Sequence, residues 1–139
     1  MSASALELFE LQIRYILDDD RDAQLALLAD DCVWEFPFAG DDRPRKIVGR
    51  DEFAQVMKPL WEAARRANIG RLSYMPLTIH ETADPDLIIA EFEFGAGGHS
   101  LIFVQVFRTR NGKIAHVREY ADYAGRARLM ARNVESATQ

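Results

Sequence analysis

The sequence has few of the features that mark several large classes of protein. Of its 139 residues only Cys32 is a cysteine, which excludes an intrachain disulfide and a cysteine-based zinc cluster and is typical of a reducing compartment. No run of about 18 apolar residues is present, and the N-terminal segment carries Glu7 and Glu10 rather than basic residues. We therefore expect a soluble, unprocessed protein of the cytoplasm with no membrane partner.

Positive charge is also in deficit. The chain has 17 Lys and Arg against 22 Asp and Glu, a formal net charge of -5. This is the wrong sign for a protein that binds nucleic acid through its phosphates. The three histidines, His80, His99 and His116, are scattered at spacings that do not suggest a metal site. We expect no nucleic-acid partner, no metal and no cofactor.

The apolar content is high enough for one folded domain over residues 1–139. Hydrophobic residues make up 48% of the chain, and only the polar tail from about residue 134 is expected to fray. A first helix is predicted from Leu6 to Leu17, and a short second helix has Asp20 as its N-cap. A strand is expected to begin at Cys32, with Pro37 at an edge or bulge of the sheet.

A third helix over residues 51–67 has the clearest apolar periodicity in the chain. Its stripe includes Phe53, Met57 and Trp61, and Pro59 should kink it. The polar segment before it, residues 40–50, is expected to be a loop.

From residue 72 onward the apolar period changes to the alternation typical of strands. Four strands are predicted, over residues 71–82, 87–97, 99–110 and 113–123, followed by a basic helix over 125–133. This order predicts an α+β domain, in which a strongly bent antiparallel sheet wraps over a layer of three N-terminal helices.

Alternation also predicts which side chains face the interior, between the sheet and the helices. Phe92 and Phe94 should point inward, because the other face of their strand carries carboxylates. Gln105 shares the inner face of the next strand. Glu119 in the last strand lies on the same face as Val117, among small residues that leave space beside a carboxylate.

One strand offers a second apolar face. Ile102, Val104 and Val106 alternate with the inward set, so they would be exposed on the outside of the sheet. An exposed apolar sheet face invites association, and we expect a homodimer through this outer face.

Three segments of the sequence are RYILDDDRDAQLALLADDCVWEFPF, VGRDEF and NGKIAHVREYADY. With the order of the elements, they resemble the cystatin-like, cone-shaped α+β fold of the nuclear-transport-factor-2-like superfamily, within it the SnoaL-like and ketosteroid-isomerase-like group. The resemblance covers nearly the whole chain and implies a pocket between sheet and helices. It specifies a fold better than a reaction, because members include isomerases, cyclases, dehydratases, epoxide hydrolases and non-catalytic domains.

The ketosteroid-isomerase pattern transfers only in part. Phe36 occupies the position of that family's general-base aspartate, which argues against isomerisation by its mechanism. Gln105 matches the neutral acid of the oxyanion hole, and Tyr15 corresponds to its tyrosine. An amide and a phenol can both donate hydrogen bonds to a ligand oxygen.

Two segments, IHETADPDLIIAEFEF and NGKIAHVREYADYAGRARLMA, are also locally similar to phenazine-biosynthesis A/B-type proteins. In that group the acid of the closing Arg-Glu pair is an acid–base residue of the pocket, and Glu119 matches it. The group's partner arginine and histidine fall at Val48 and Met75, so its condensation chemistry does not transfer with the acid.

These observations favour a cofactor-independent isomerase-, lyase- or cyclase-type enzyme, in which Glu119, with Tyr15, transfers a proton on a small, hydrophobic, cyclic, oxygen-bearing compound. The alternatives for Glu119 are a salt bridge with a neighbour such as Arg118 or Arg108, or pairing at a subunit interface. The expected ligand-contacting residues are Trp34, Phe36, Phe38, Met57, Trp61, Tyr74, Phe92, Phe103, Gln105 and Val117. Two other functions stay open: a non-catalytic domain that binds an apolar molecule, and a dimerisation domain whose cone is filled.

Overall fold

The computed structural model describes residues 3–41, 43–67, 70–125 and 128, and these carry three helices and a six-stranded sheet. The helices are α1 (Ala5–Leu17), α2 (Arg21–Ala26) and α3 (Arg50–Arg66). The strands are β1 (Leu28–Glu35), β2 (Lys46–Val48), β3 (Ser73–Glu81), β4 (Leu87–Ala96), β5 (His99–Arg110) and β6 (Lys113–Ala121). They lie in the order β2-β1-β6-β5-β4-β3. The predicted α+β fold is confirmed.

Short polar signals set the ends of the first two helices. Ser4 begins α1 with a capping box, in which its hydroxyl accepts from the Glu7 amide (3.3 Å) and its own amide donates to the Glu7 carboxylate (3.2 Å). Asp19, at a φ of 53°, turns the chain after α1. The Asp20 side chain accepts from the Ala23 amide and caps α2, as predicted.

The first strand differs from the prediction. β1 begins at Leu28 rather than Cys32, because Leu28 already pairs with Ile114 of β6 in a parallel arrangement. The strand ends at Glu35, so Pro37 lies in the turn that follows it and not at an edge or bulge. β2 occupies part of the predicted loop over 40–50, where antiparallel pairing with β1 satisfies the backbone groups on the side that faces β1.

The antiparallel meander from β3 to β6 is as predicted. Each strand pairs with the next, and two-residue turns join the last two hairpins. Gly97 and Gly98 (φ 58° and 80°) connect β4 to β5, and Asn111 and Gly112 (φ 52° and 74°) connect β5 to β6. Positive φ at both positions matches the right-handed twist of the flanking strands. The basic helix and tail expected from 125 onward lie, apart from positions 125 and 128, outside the described residues.

The helices pack on the inner face of the sheet around an aromatic core. On α1, the Phe9 ring contacts the rings of Phe92 (5.4 Å between centroids) and Phe107 (5.5 Å). Phe92 and Phe103 are buried on the inner face as predicted, whereas Ile102 on the outer face is 58% exposed. α3 continues as one helix through Pro59 and buries its predicted stripe, Phe53, Met57 and Trp61.

Phe92→Ala tests this core. Phe92 is 1% exposed and its ring contacts four others, those of Phe9, Tyr74, Phe94 and Phe103. We expect a loss of about 3–5 kcal/mol in the free energy of unfolding, measured by urea denaturation. Phe38→Ala is the matched control: Phe38 is 68% exposed, and its loss should cost less than about 1 kcal/mol. Equal losses for the two variants would contradict the packing described.

Candidate functional site

A cavity of about 140 Å³ lies between the three helices and the inner face of the sheet, with its mouth near the β4–β5 turn and the end of α3. Its deep walls are aromatic and buried, and its mouth is partly exposed. The lining residues are Gln12, Ile16, Arg21, Gln24, Trp34, Phe36, Arg43, Phe53, Met57, Trp61, Ala64, Leu72, Phe92, Phe94, Gly95, Ala96, His99, Ser100, Leu101, Phe103, Gln105 and Glu119.

Strand register brings the acid and an amide together at the deep end of this cavity. Gln105 on β5 and Glu119 on β6 are cross-strand partners on the inner face. The Gln105 amide donates to Glu119 Oε1 at 2.6 Å, and its carbonyl accepts from the Gln12 amide of α1 at 3.3 Å. Gln12 is 1% exposed, Gln105 3% and Glu119 9%. A buried chain of polar groups therefore crosses from α1 to β6.

Tyr123, two residues beyond the end of β6, holds the other oxygen of the acid. Its hydroxyl donates to Glu119 Oε2 at 2.5 Å. The Arg43 guanidinium lies over the ring of Tyr123, 4.6 Å from the centroid, and 5.0 Å from that of Phe36. Glu119 thus accepts one hydrogen bond at each oxygen, the pattern suited to an ionised carboxylate.

The salt bridge considered as the alternative for Glu119 is not formed. Arg108 pairs with Asp84 (3.1 Å), and Arg118 occupies the opposite face of β6. Among the described side chains, Glu119 contacts amide and hydroxyl donors but no cation within ion-pair distance. Within the described part of the chain, neutral donors alone therefore hold the carboxyl group at the cavity wall.

The aromatic walls contain both tryptophans of the chain. The Trp34 ring lies 4.7 Å from Phe53, and Phe53 lies 6.2 Å from Trp61. On the opposite wall Phe92 and Phe103 stack at 5.5 Å with an interplanar angle of 11°. Such walls suit the faces of a ring compound, and changes in tryptophan fluorescence will report on its binding.

Eight of the predicted site residues meet at the cavity. These are Trp34, Phe36, Met57, Trp61, Phe92, Phe103, Gln105 and Glu119. The structure does not bring Tyr15, Phe38, Tyr74 or Val117 to the cavity lining.

Each of these four has a local reason to lie elsewhere. α1 turns Gln12 and Ile16 toward the cavity, which leaves Tyr15 to one side and half-buried. Phe38 follows the turn at Pro37, where strand alternation no longer applies, and packs outside on Tyr120 at 5.4 Å. Val117 is fully buried beneath the wall, beside its register partner Trp34.

Tyr74 supports the wall from behind. Its ring packs on Phe92 (5.9 Å) and Phe94 (5.7 Å) and lines a separate shallow depression beside the β4–β5 turn. Burial raises the pKa of its hydroxyl, and the charge of Glu10 adds to this.

Sequence reasoning missed several residues that line the cavity. Gln12 had a detectable signal, because it is the polar residue within the apolar stripe of α1. Arg21 and Gln24 lie on the cavity side of the short α2, and Arg43 comes from the segment predicted to be a loop. No periodic pattern in the sequence indicates where these long side chains point.

The arginine at the mouth belongs to a small charged cluster. Arg21 Nε donates to Asp19 Oδ1 (3.1 Å), its Nη1 donates to Gln24 Oε1 (2.8 Å), and its guanidinium lies 4.7 Å from the centre of the Trp61 ring. Arg65 of α3 binds both oxygens of Asp19 (2.8 and 3.2 Å). The hydrogen bond from Arg65 lowers the pKa of Asp19.

No group of three or more metal-ligating side chains occurs within the described part of the chain. No helix there is long and apolar enough to cross a membrane. Burial raises the pKa of the Cys32 thiol to about 11, so this cysteine is not poised as a nucleophile.

A family model for the SnoaL-like domain matches residues 12–117, which include most of the sheet and the cavity. The chain belongs to this family. The uncharacterized protein YesE of Bacillus subtilis is 26% identical to it over 124 residues, covering 84% of this chain and 80% of YesE. The local similarity to phenazine-biosynthesis proteins stays a prediction.

Solved structures share the cone-shaped fold of this SnoaL-like domain. A Bacillus subtilis protein provisionally called an isomerase matches with a TM-score of 0.71 and 26% identity, covering 85% of this chain and 86% of that one. Delta 5-3-ketosteroid isomerase from Mycobacterium sp. matches with a TM-score of 0.68 and 20% identity, covering 88% of this chain and 96% of that one. RV0760c from Mycobacterium tuberculosis, in complex with estradiol-17beta-hemisuccinate, matches with a TM-score of 0.69 and 23% identity, covering 88% of this chain and 97% of that one. At these last two identities the likeness establishes the fold alone.

Asp19→Asn tests the charged cluster at the mouth of the cavity. Asn tolerates the positive φ, so the change removes charge with little backbone strain. Because the folded-state pKa of Asp19 is lowered, its stabilisation is present above about pH 4 and is lost as the pH falls through the lowered value. We expect the free energy of unfolding of wild type to exceed that of the variant by up to about 1 kcal/mol near neutrality, and by progressively less below about pH 4.

Urea denaturation at several pH values measures this difference. Asp18→Asn is the control, since Asp18 is an exposed neighbour with no ion pair among the described residues. A wild-type advantage over Asp19→Asn that stays constant on acidification would contradict the assignment.

Proposed function

We propose that this SnoaL-like domain binds a small, mainly apolar, oxygen-bearing ring compound in its cavity and that Glu119 transfers a proton on it without a cofactor. The observation that carries the proposal is the carboxylate itself, 9% exposed in an aromatic cavity wall, with each oxygen fixed by a neutral donor. Isomerase, lyase and cyclase reactions all use a base in this setting.

The hydrogen bonds leave Glu119 able to take up a proton. A carboxylate offers about four lone-pair directions, and Gln105 and Tyr123 use two of them. Both donors fix the orientation of the group, and the Gln12–Gln105 bond in turn fixes the amide. The remaining lone pairs can accept a ligand C–H or O–H proton without breaking this arrangement.

Cavity size supports a ligand of one or two rings. The volume of about 140 Å³ is close to that of an engineered cavity of about 150 Å³ that binds benzene. It is below the roughly 300–1,000 Å³ of sites for drug-sized ligands. The ketosteroid isomerase of Mycobacterium sp. shares the fold, but a four-ring ligand would require this cavity to widen.

Glu119→Gln tests the proton transfer. Nitrobenzisoxazole is a two-ring probe: a base removes its ring C–H proton, the N–O bond breaks, and a coloured cyano-nitrophenolate forms. We expect wild type to accelerate this reaction and Glu119→Gln to lose at least about 100-fold in kcat/KM, because the amide cannot accept the proton. Absorbance of the phenolate gives the rate.

Glu35→Gln is the matched control. Glu35 is also a strand glutamate, but it pairs with His116 (2.7 Å) and lies outside the cavity lining, so its variant should retain the wild-type rate. Equal rates for wild type and Glu119→Gln would refute the catalytic proposal. If both also bind the probe equally by tryptophan fluorescence, the function is ligand binding without catalysis.

We also propose that the protein forms a homodimer through the outer face of its sheet. Its one cysteine, Cys32, is a buried free thiol, which supports the proposal of a reducing compartment such as the cytoplasm. On the outer sheet face Ile102 is 58% exposed, beside half-buried Val104 and Val106. On the same face, the buried Arg118 Nε has no hydrogen-bond partner among the described residues. A second subunit would cover the apolar side chains and supply an acceptor.

Ile102→Lys tests the dimer, because a lysine at an apolar interface leaves a buried, unpaired charge. We expect light scattering to show a dimer for wild type and a monomer for Ile102→Lys. Lys58→Glu, on the exposed surface of α3, changes charge away from this face and should stay dimeric. A wild-type monomer at micromolar concentration would rule out the proposal.

A further inference from the structure

One hydrogen-bond donor in the aromatic wall of the cavity has no partner. Trp34 is 4% exposed and lines the cavity, yet its indole nitrogen, Nε1, makes no hydrogen bond within the described part of the chain. A buried N–H group is normally satisfied by protein or by ordered water, because an unpaired buried donor is destabilising. The indole of Trp34 therefore needs an acceptor that the described residues do not supply.

The side chains that pair or pack with Trp34 are apolar. Its register partners in the sheet are Ile47 on β2 and Val117 on β6. Its ring neighbours are Phe36, at 6.4 Å between centroids, and Phe53, at 4.7 Å. None of these four side chains contains an acceptor atom. The cavity, which Trp34 also lines, is therefore the space from which an acceptor can approach its ring.

Trp34 and Glu119 offer opposite hydrogen-bonding groups to a ligand. An ionised carboxylate only accepts, so Glu119 disfavours the lone pairs of a ligand oxygen, whereas an indole N–H only donates. Trp34 pairs with Val117, which precedes Glu119 by two residues on the inner face of β6. Trp34 and Glu119 are therefore offset by about 7 Å along the strands, a distance that a compound of one or two rings can span.

We propose that Trp34 determines specificity, by donating a hydrogen bond from Nε1 to a carbonyl or ether oxygen of the ring compound in the cavity. The ligand oxygen then lies at Trp34, and the far side of the ring faces Glu119. This inference rests on the proposed function for the cavity as the ligand site, and it adds the chemical group that the site selects. It does not require that Glu119 be catalytic.

The experiment compares 1-indanone with indane, two-ring compounds of nearly the same shape, of which only 1-indanone carries an acceptor oxygen. Isothermal titration calorimetry gives the Kd of each for wild type and for Trp34→Phe, which keeps an aromatic ring but has no donor. We expect the ratio of the indane Kd to the 1-indanone Kd to fall about tenfold in the variant. The change in this ratio is the measure, because the two compounds differ in how readily they leave water.

Trp61→Phe is the matched control. It makes the same chemical change in the same cavity wall, but the Trp61 nitrogen is not among the buried, unpaired atoms of the described residues. Loss of ring area should weaken both compounds alike, so we expect the ratio to stay within about twofold of wild type. Thermal unfolding of each variant confirms that it is folded.

Nuclear magnetic resonance of the wild-type protein gives a result that does not depend on the folding of Trp34→Phe. The chain has two tryptophans and so two indole N–H signals, and the signal that remains in Trp61→Phe belongs to Trp34. We expect saturating 1-indanone to move the Trp34 proton downfield, as a new N–H···O hydrogen bond does, and indane to leave it without such a shift.

The outcomes separate the role of Trp34 from the proposed function. A ratio that Trp34→Phe leaves unchanged, an equal fall in Trp61→Phe, or binding of 1-indanone without the downfield shift overturns the role of Trp34. Loss of proton transfer in Glu119→Gln would still stand in those cases. If wild type acts on nitrobenzisoxazole but binds neither compound, the role of Trp34 alone fails. If it does neither, both proposals fail.

Discussion

The buried carboxylate of Glu119 is the constraint on which the arrangement of the site depends. A carboxylate in an apolar wall is destabilising by several kcal/mol unless other groups replace its hydration. The structure supplies those groups from separate places: Gln105 from the neighbouring strand, and Tyr123 from the helical residues that follow β6. Gln12 of α1 then orients Gln105. One acid therefore ties α1, two strands and the segment after β6 to the same point.

Burying these hydrogen-bonded polar groups costs free energy, which explains why they are confined to one end of the cavity. Each of its members is nearly inaccessible to water, so removing one leaves its neighbour with an unsatisfied group. The rest of the wall, including Trp34, Phe53 and Phe103, contributes apolar surface instead. The polar groups are thus few and lie together, while the shared fold of the SnoaL-like family supplies the rest of the wall.

The side chains that alternation predicted to face inward depend on local geometry. Strand alternation is enough to turn Phe92, Phe103 and Gln105 inward, because each strand is regular over those positions. The parallel pairing of β1 with β6 depends on contacts between residues far apart in the chain, and no period in the sequence contains it. For the same reason, the segment that contains β2 was predicted to be a loop.

Individual side chains could be misplaced even within correctly predicted elements. Tyr15 and Gln12 lie on the same helix, and the resemblance to ketosteroid isomerases favoured the tyrosine, although the helical phase turns Gln12 to the cavity. Phe38 was assigned by extending an alternation past the turn where the strand ends. Arg21 reaches the cavity through a long flexible side chain, whose direction is set by Gln24 and Trp61.

The two-glycine turn between β4 and β5 also limits how chains of this kind can change in length. The pairing of β5 with β4 and β6 fixes which residues of β5 face inward, and a shift of one residue would exchange Gln105 for an apolar neighbour and leave Glu119 without its amide donor. Single insertions within β5 are therefore incompatible with the acid site. Insertions at the Gly97–Gly98 tip keep the register and alter only the border of the cavity mouth. A longer Gly97–Gly98 tip would therefore leave the acid in place and change which molecules enter the cavity.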